Sequence, residues 1–181
     1  MIRLSLLACT TFFIGVSLSQ EKSTEYKFLD LVNKYQTSDL QSLLSDDFVM
    51  ERTCLGYTNN KNSFIVEYIP SRKTLNAKFK VLKVLADKPS KVFLVEEPSD
   101  YLKYLRVPYP TWKMTIVVSN NQVKNVVIDS TDSWPKHQTE LLKKGEDFEK
   151  WVEKKYHENE AELNKTYSHL MMRLKEYARR N

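Results

Sequence analysis

Two aspartates stand at the start of a predicted strand, and a third lies inside a later strand. Asp46 and Asp47 follow the residues SLLS and precede FVMER, and Asp129 belongs to the run NVVIDST. A carboxylate that faces an apolar pocket has its pKa raised by burial, which suits it to proton transfer near neutral pH. Asp47 and Asp129 are therefore the candidate catalytic residues. The simpler interpretation of Asp46 and Asp47 is that they end a helix and begin a solvated strand.

An aromatic segment, DYLKYLRVPYPTW, occupies residues 100–112. Its rings are interspersed with Lys103 and Arg106, a combination that suits a site for a flat or acidic small molecule. The predicted ligand-binding residues are Tyr68, Tyr101, Tyr104, Trp112 and Asp129. The alternative is that the segment packs its tyrosines onto a sheet edge and that its prolines blunt that edge.

The positions of histidine and glycine exclude several kinds of chemistry. His157 and His169 are twelve positions apart, which places them on different faces of a helix, and no acidic residues with metal-ligand spacing accompany them. We therefore expect no metal site. Beyond residue 19 the glycines are Gly56 and Gly145, so no glycine-rich loop can hold a pyrophosphate, and we expect no cofactor.

The charge distribution argues against nucleic acid as a partner. The chain has 28 Lys and Arg against 23 Asp and Glu, a formal net charge of +5. Basic and acidic residues are interleaved in KKGEDFEKWVEKKYHENEAELNK, which is typical of a solvated helix face and not of a phosphate-binding stripe.

The first nineteen residues are typical of a secretory signal peptide. Arg3 precedes an apolar stretch from Leu4 to Val16, and small residues lead to a cleavage site near Ser19–Gln20. The apolar stretch is too short, and too often interrupted by Ser and Thr, for a stable membrane span. We therefore expect a secreted or periplasmic protein.

The two cysteines bear on lipidation and on disulfide bonding. Cys9 ends the sequence LLAC, which matches a bacterial lipoprotein signal, but most of the hydrophobic stretch follows this cysteine instead of preceding it. If the leader is removed, Cys54 is the one cysteine that remains, so no disulfide can form within the chain. The fold must then be stabilised by packing.

Hydrophobic periodicity predicts the elements in the first half of the chain. Apolar residues at three- and four-residue spacing from Thr24 predict a helix, and a short second helix ends before the paired aspartates. Residues 48–53 are predicted as a strand and residues 56–61 as a loop. The sequence NSFIVEYI favours a third helix that ends at Pro70, with a strand as the alternative.

The second half of the chain combines strands with a helical end. Strands are predicted at residues 78–86, 91–97, 111–119 and 123–131. Ser99 can cap a helical turn between the second and third of these strands. From Gly145 onward the pattern is helical, as one helix or as two helices with a break near residues 157–159.

This order of elements resembles the NTF2-like, or SnoaL-like, superfamily. The resemblance rests on LLSDDFVM, similar to the DDF start of that family's first strand, on the helix NKNSFIVEY, and on the paired strands TWKMTIVVSNNQVKNVVIDSTDSW. It implies an α+β fold: a cone in which a curved antiparallel sheet wraps around N-terminal helices, followed by one or more C-terminal helices. The chain then divides into a signal peptide (1–19), an NTF2-like domain (20–134) and a C-terminal helical extension (135–181).

The resemblance also implies a pocket in the open end of the cone. Enzymes of this family include isomerases, cyclases and dehydratases that transfer protons with a pocket Asp, His or Tyr, but no catalytic dyad is matched here. Our first expectation is a domain that binds a small hydrophobic or aromatic molecule in the pocket. Two alternatives stay open: a lyase or isomerase that uses Asp129 or Asp47, and a non-catalytic interaction protein that forms a homodimer through its C-terminal helix.

Overall fold

A computed structural model describes residues 23–180, which fold into one six-stranded sheet with helices before and after it. The predictions about the signal peptide and Cys9 lie outside these residues. The strands are β1 (Leu44–Arg52), β2 (Tyr57–Asn60), β3 (Lys80–Ala86), β4 (Lys91–Glu96), β5 (Thr111–Ser119) and β6 (Gln122–Ser130). The helices are α1 (Thr24–Lys34), α2 (Thr37–Leu43), α3 (Lys61–Ser63), α4 (Ile69–Thr74), α5 (Asp100–Leu105), α6 (Trp134–Tyr156), α7 (Glu160–Leu163) and α8 (Tyr167–Arg179).

The sheet has the strand order β2-β1-β6-β5-β4-β3. The second and third strands in this order, β1 and β6, pair in parallel, and the other neighbouring strands of the sheet pair antiparallel. Arg52 consequently lies beside Tyr57 on one side and Ile128 on the other, while Trp112 pairs with Ser130. These residues lie at one end of their strands, and we call this end of the sheet the "Arg52 end".

The first core fills the space between the sheet and the N-terminal helices. Alternate residues of β5 (Trp112, Met114 and Ile116) are buried, as the period of two along a strand requires. Phe64 lies at the centre, with its ring centroid 6.0 Å from that of Phe28 and 5.1 Å from that of Phe48. The protein's own rings therefore occupy the interior of the predicted cone.

A second core joins α5 to the C-terminal helices. Its buried residues are Leu102, Leu105, Val107, Phe148, Val152, Leu163, Met171, Leu174 and Tyr177. The apolar stripe of α8 is thus largely covered by helices of the same chain. None of the helices within residues 23–180 has the length and apolar character needed to cross a membrane.

The predicted α+β class, with N-terminal helices, a sheet and C-terminal helices, is confirmed. Ser99 does cap α5, because its side chain accepts a hydrogen bond from Leu102 N at 3.3 Å. The helical end of the chain is interrupted, which decides between the one-helix and two-helix possibilities that the pattern left open: His157 adopts a left-handed backbone (φ 58°) that ends α6, and Asn159 caps α7.

Two local predictions were wrong. The segment predicted as a loop at residues 56–61 contains the edge strand β2, because its backbone pairs with β1. Pro70 does not end the third helix: a π-helical segment (Phe64–Tyr68) connects α3 to α4, and Pro70 follows this segment directly, where the irregular hydrogen bonding of the π turn accommodates a residue without an N–H. Helix α6 begins at Trp134, next to the predicted start of the helical extension, and runs through Gly145, since packing in the second core outweighs the low helix propensity of one glycine.

Candidate functional site

A buried carboxylate at the Arg52 end belongs to a group of five side chains that come from four separate parts of the chain. Glu97 follows β4 and is held there because its N–H donates to Pro110 O at 3.0 Å. Its Oε2 accepts hydrogen bonds from Arg52 Nη2 at 2.6 Å and Trp112 Nε1 at 2.8 Å, and its Oε1 accepts one from Arg72 Nη1. Arg72 Nη1 also donates to the Tyr68 hydroxyl at 3.1 Å. These five residues are called the Arg–Glu cluster below.

Aromatic rings surround the two guanidinium groups. Arg72 stacks on the Phe79 ring, with 3.9 Å between its Cζ and the ring centroid, and Arg52 lies 5.1 Å from the centroid of Trp112. Such contacts favour a cation over a ring face. On the solvent side of the cluster, Tyr57 packs on Tyr68. The half-buried Trp134 packs on Trp112, with 4.9 Å between the two ring centroids.

Burial and charge act in opposite directions on the Glu97 carboxyl. Desolvation alone would raise its pKa, but Arg52 and Arg72 outweigh that effect and hold the pKa at about 2. Glu97 is therefore ionised at any physiological pH. Since both carboxylate oxygens accept hydrogen bonds, Glu97 is poorly suited to act as a general base.

Several N–H groups near this cluster have no hydrogen-bond partner among the described residues. They are Arg52 Nε, Arg72 Nε, Arg72 Nη2 and Asn59 Nδ2, and all four atoms are buried. Asn59 faces the same side of the sheet as Met50, with which it pairs, and its Oδ1 accepts a hydrogen bond from the Tyr57 hydroxyl. The site thus offers more buried donors than the protein itself satisfies, which is uncommon in folded proteins.

His137 is a buried titratable residue at the start of α6. Its Nδ1 lies 2.9 Å from Pro108 O, and because a carbonyl can only accept, the Nδ1 carries the proton. Burial lowers the pKa of His137, so the ring is neutral at pH 7 and Nε2 holds its lone pair. The imidazole stacks on Trp134, which in turn contacts Trp112. His137 therefore lies close to the Arg52 end, although it belongs to the C-terminal extension.

The structure brings only two of the predicted ligand-binding residues together. Tyr68 and Trp112 both belong to the Arg–Glu cluster. Tyr101 and Tyr104 are half-buried against the second core, where burial and the neighbouring Glu149 raise the pKa of Tyr101. The aromatic segment thus packs against the C-terminal helices, which neither of the two sequence-based interpretations foresaw.

The three aspartates lie away from the Arg–Glu cluster. Asp129 pairs with Lys113 in the sheet, on the face opposite Trp112, and its Oδ1 accepts a hydrogen bond from Thr53. Asp46 and Asp47 are exposed residues of β1 that pair with Lys61 and Lys124 at 2.9 and 3.0 Å. Their catalytic role stays a prediction, and these positions do not support it.

Sequence reasoning missed the two arginines and Glu97. A signal was present, because each of two strands continues its buried alternation into a charged residue: Met50 is followed two positions later by Arg52, and Val95 by Glu97. A charged residue in phase with a buried strand face predicts a buried ion pair. For Arg72 the sequence carries no comparable signal.

Comparison with solved structures reveals similarity of fold at low sequence identity. An LEH-like epoxide hydrolase from M. tuberculosis superposes with a TM-score of 0.52 at 11% identity, covering 66% of this chain and 87% of that one. The BvnE pinacolase from Penicillium brevicompactum gives a TM-score of 0.51 at 10% identity, covering 68% and 92%. A protein of Catenulispora acidiphila with a ketosteroid isomerase-like fold, in complex with trimethylamine, gives 0.50 at 10% identity, covering 61% and 86%.

No protein-family model matches the sequence, and no curated protein matches it. At such identities the structural similarity establishes the fold alone. It confirms the fold that the order of helices and strands predicted.

Proposed function

We propose that this chain, which has the NTF2-like, ketosteroid isomerase-like fold, is a small-molecule-binding domain whose ligand site is the Arg52 end of the sheet. The observation that carries the proposal is the Arg–Glu cluster with its buried, unpartnered N–H groups and its surrounding rings. A ligand with an apolar or aromatic body and a hydrogen-bond acceptor would satisfy both features.

The position of the site follows from the packing of the cone. The interior of the cone is filled by the protein's own side chains, since four phenylalanines are almost completely buried there: Phe28, Phe48, Phe64 and Phe93. At the Arg52 end, by contrast, the side chains of Arg52 and Glu97 keep 12% and 11% of their surface exposed. A ligand would approach from this side, beside the exposed ring of Tyr57.

The fold itself supports a binding role. One protein of this fold was solved with trimethylamine bound, and two others are an epoxide hydrolase and a pinacolase. By these descriptions, all three proteins bind or act on small molecules. We extend this only to the class of partner, a small organic molecule, because the identities are too low to carry a substrate.

A proton-transfer enzyme, of the lyase or isomerase class, is the second candidate. The observation that favours it is His137, a buried neutral imidazole whose Nδ1–H is fixed by Pro108 O. In such an enzyme His137 Nε2 would be the base. Asp47 is exposed, and Asp129 lies on the face of the sheet opposite Trp112. A His137→Gln variant that retains ligand binding but loses turnover would favour the enzyme.

The site of action and the oligomeric state are further parts of the proposal. The N-terminal pattern supports secretion or a periplasmic location, and an N-terminus at Gln20 in protein isolated from its host would bear this out. A homodimer through the C-terminal helices would use residues outside the second core, such as the exposed Met172. Sedimentation of the wild type and of Met172→Glu checks this, because only a dimer that uses α8 would dissociate in the variant.

Native mass spectrometry of protein purified gently from its own host tests the binding function. We expect a stoichiometric small-molecule adduct. Tyr57→Ala should weaken it because the variant removes a ring beside the Arg–Glu cluster, while Tyr167→Ala removes another exposed ring, on α8, and should not. A protein mass without adduct, together with no quenching of tryptophan fluorescence by any aromatic compound tried, would refute a binding role.

A further inference from the structure

The guanidinium of Arg72 presents one unused edge. Its Nη1 donates to Glu97 and Tyr68, but its Nε and Nη2 have no hydrogen-bond partner among residues 23–180. Nε and Nη2 lie on the same edge of the planar group and donate in parallel, which is the geometry that binds both oxygens of a carboxylate. Arg72 is only 3% exposed, so bulk water cannot solvate this edge freely.

A second arginine of the same chain shows this edge in use. Arg173 lies over the ring of Tyr156 at 3.6 Å, and its Nε and Nη2 both donate to the carboxylate of Glu158. Arg72 lies over the ring of Phe79 in the same manner, but its Nε and Nη2 hold no carboxylate. The two arginines thus differ in whether the protein supplies the acceptor.

The charge of the Arg–Glu cluster points to an anionic acceptor. Arg52 and Arg72 contribute two positive charges and Glu97 contributes one negative charge, and these three side chains form two ion pairs that share one carboxylate. A buried excess of one positive charge is costly unless a counter-ion neutralises it. His137 adds no charge, since its imidazole is neutral at pH 7.

We propose that the Arg52 end binds a planar monocarboxylate, with the carboxylate on the Nε and Nη2 edge of Arg72 and the organic body against the rings of Tyr57 and Trp134. This proposal rests on the small-molecule-binding function proposed above and specifies its ligand class. One carboxylate satisfies two of the four unpartnered donors and neutralises the excess charge.

Matched acids and amides test the charge of the ligand. Benzoate and benzamide, cinnamate and cinnamamide, and 2-naphthoate and 2-naphthamide are titrated into the wild-type protein by calorimetry. Each pair has the same shape and differs in charge. We expect at least one acid to bind roughly tenfold or more tightly than its amide, as a charge-assisted bidentate contact requires.

Arg72→Lys tests the edge itself, because lysine keeps the positive charge beside Glu97 and removes the paired donors. We expect roughly tenfold weaker binding of the acid and unchanged binding of the amide. Arg173→Lys is the matched control, since it alters the corresponding contact with Glu158 far along the chain and should leave acid binding unchanged. Nitrogen-15 NMR of the arginine Nε–H groups adds a direct readout: the Arg72 signal should shift on addition of the acid.

Three results would overturn the inference. Equal affinity of acids and amides would be consistent with the proposed binding function but would refute the proposal that the ligand is a carboxylate. Acid binding that survives Arg72→Lys, with no shift of the Arg72 Nε–H signal, would place the anion elsewhere. Competition by chloride as effective as that by the acids would reduce the site to an unspecific anion contact. If neither acids nor amides bind and no native adduct is found, the binding function fails as well.

Discussion

Replacing Glu97 by glutamine tests whether the Arg–Glu cluster stabilises the fold as the structure indicates. Glutamine has nearly the same shape but no charge, so Arg52 and Arg72 would lose their shared counter-ion. Removing one partner of a buried ion pair typically costs about 3–5 kcal/mol. Holding the carboxyl pKa at about 2, where an unperturbed glutamate has 4.5, corresponds to a similar ~3 kcal/mol at neutral pH.

The effect should depend on pH with a defined sign. A carboxyl whose pKa is lowered by folding contributes stability above the pKa of the unfolded chain, and that contribution is lost as the pH falls through the folded value. The wild type should therefore lose ~3 kcal/mol of unfolding free energy from Glu97 between about pH 5 and pH 2. Glu97→Gln should lack this loss, so the two proteins should converge at the acidic end.

Urea unfolding followed by circular dichroism, repeated across this pH range, measures the difference. Glu96→Gln is the matched control, because the neighbouring Glu96 faces outward and pairs with Lys80 at 3.5 Å, where a surface ion pair contributes at most about 1 kcal/mol. A Glu97→Gln protein within about 1 kcal/mol of the wild type at pH 7 would refute the reasoning. So would a difference that stays constant down to about pH 2.

Three further substitutions test the packing and one helix cap. Phe64→Ala should lower the unfolding free energy by about 3–5 kcal/mol, because it empties the centre of the first core, whereas Val66→Ala at an exposed position should change it by less than about 0.5 kcal/mol. Leu174→Ala in the second core should cost about 2–5 kcal/mol, with Met172→Ala as its exposed control; equal effects in chemical denaturation would mean that the second core is not formed. Asn159→Ala should cost about 1 kcal/mol in thermal unfolding because it removes the capping box of α7, and no change in melting temperature would contradict that cap.

The elements could be predicted from sequence where a local pattern determines them. Strand β5 alternates cleanly in TWKMTIVVS and was predictable for that reason, whereas the pattern near His157 left open whether the helix continues or ends there. Strand β2 could not be predicted, because its four residues, YTNN, carry turn chemistry and become a strand only through pairing with β1.

The candidate site could be predicted only in part. Tyr68 and Trp112 were identified as aromatic residues suited to a ligand site, and they do meet in the Arg–Glu cluster. Arg52 and Arg72 stand 45 and 25 positions from Glu97 along the chain, so their pairing depends on the tertiary fold. Each is ordinary as an isolated charged residue, and no local rule brings the three together.

The parallel pairing of β1 with β6 also governs how the domain can assemble. Thr53 and Asp129, which meet beside this pair, are 76 positions apart, so the pairing of β1 with β6 closes a long loop before its contacts can offset the lost chain entropy. Contacts of such sequence separation raise the mean contact order and slow folding. Since β6 ends at Ser130, a ribosome must release most of the domain before β1 can pair with β6, and the first half of the chain cannot complete the sheet without the second.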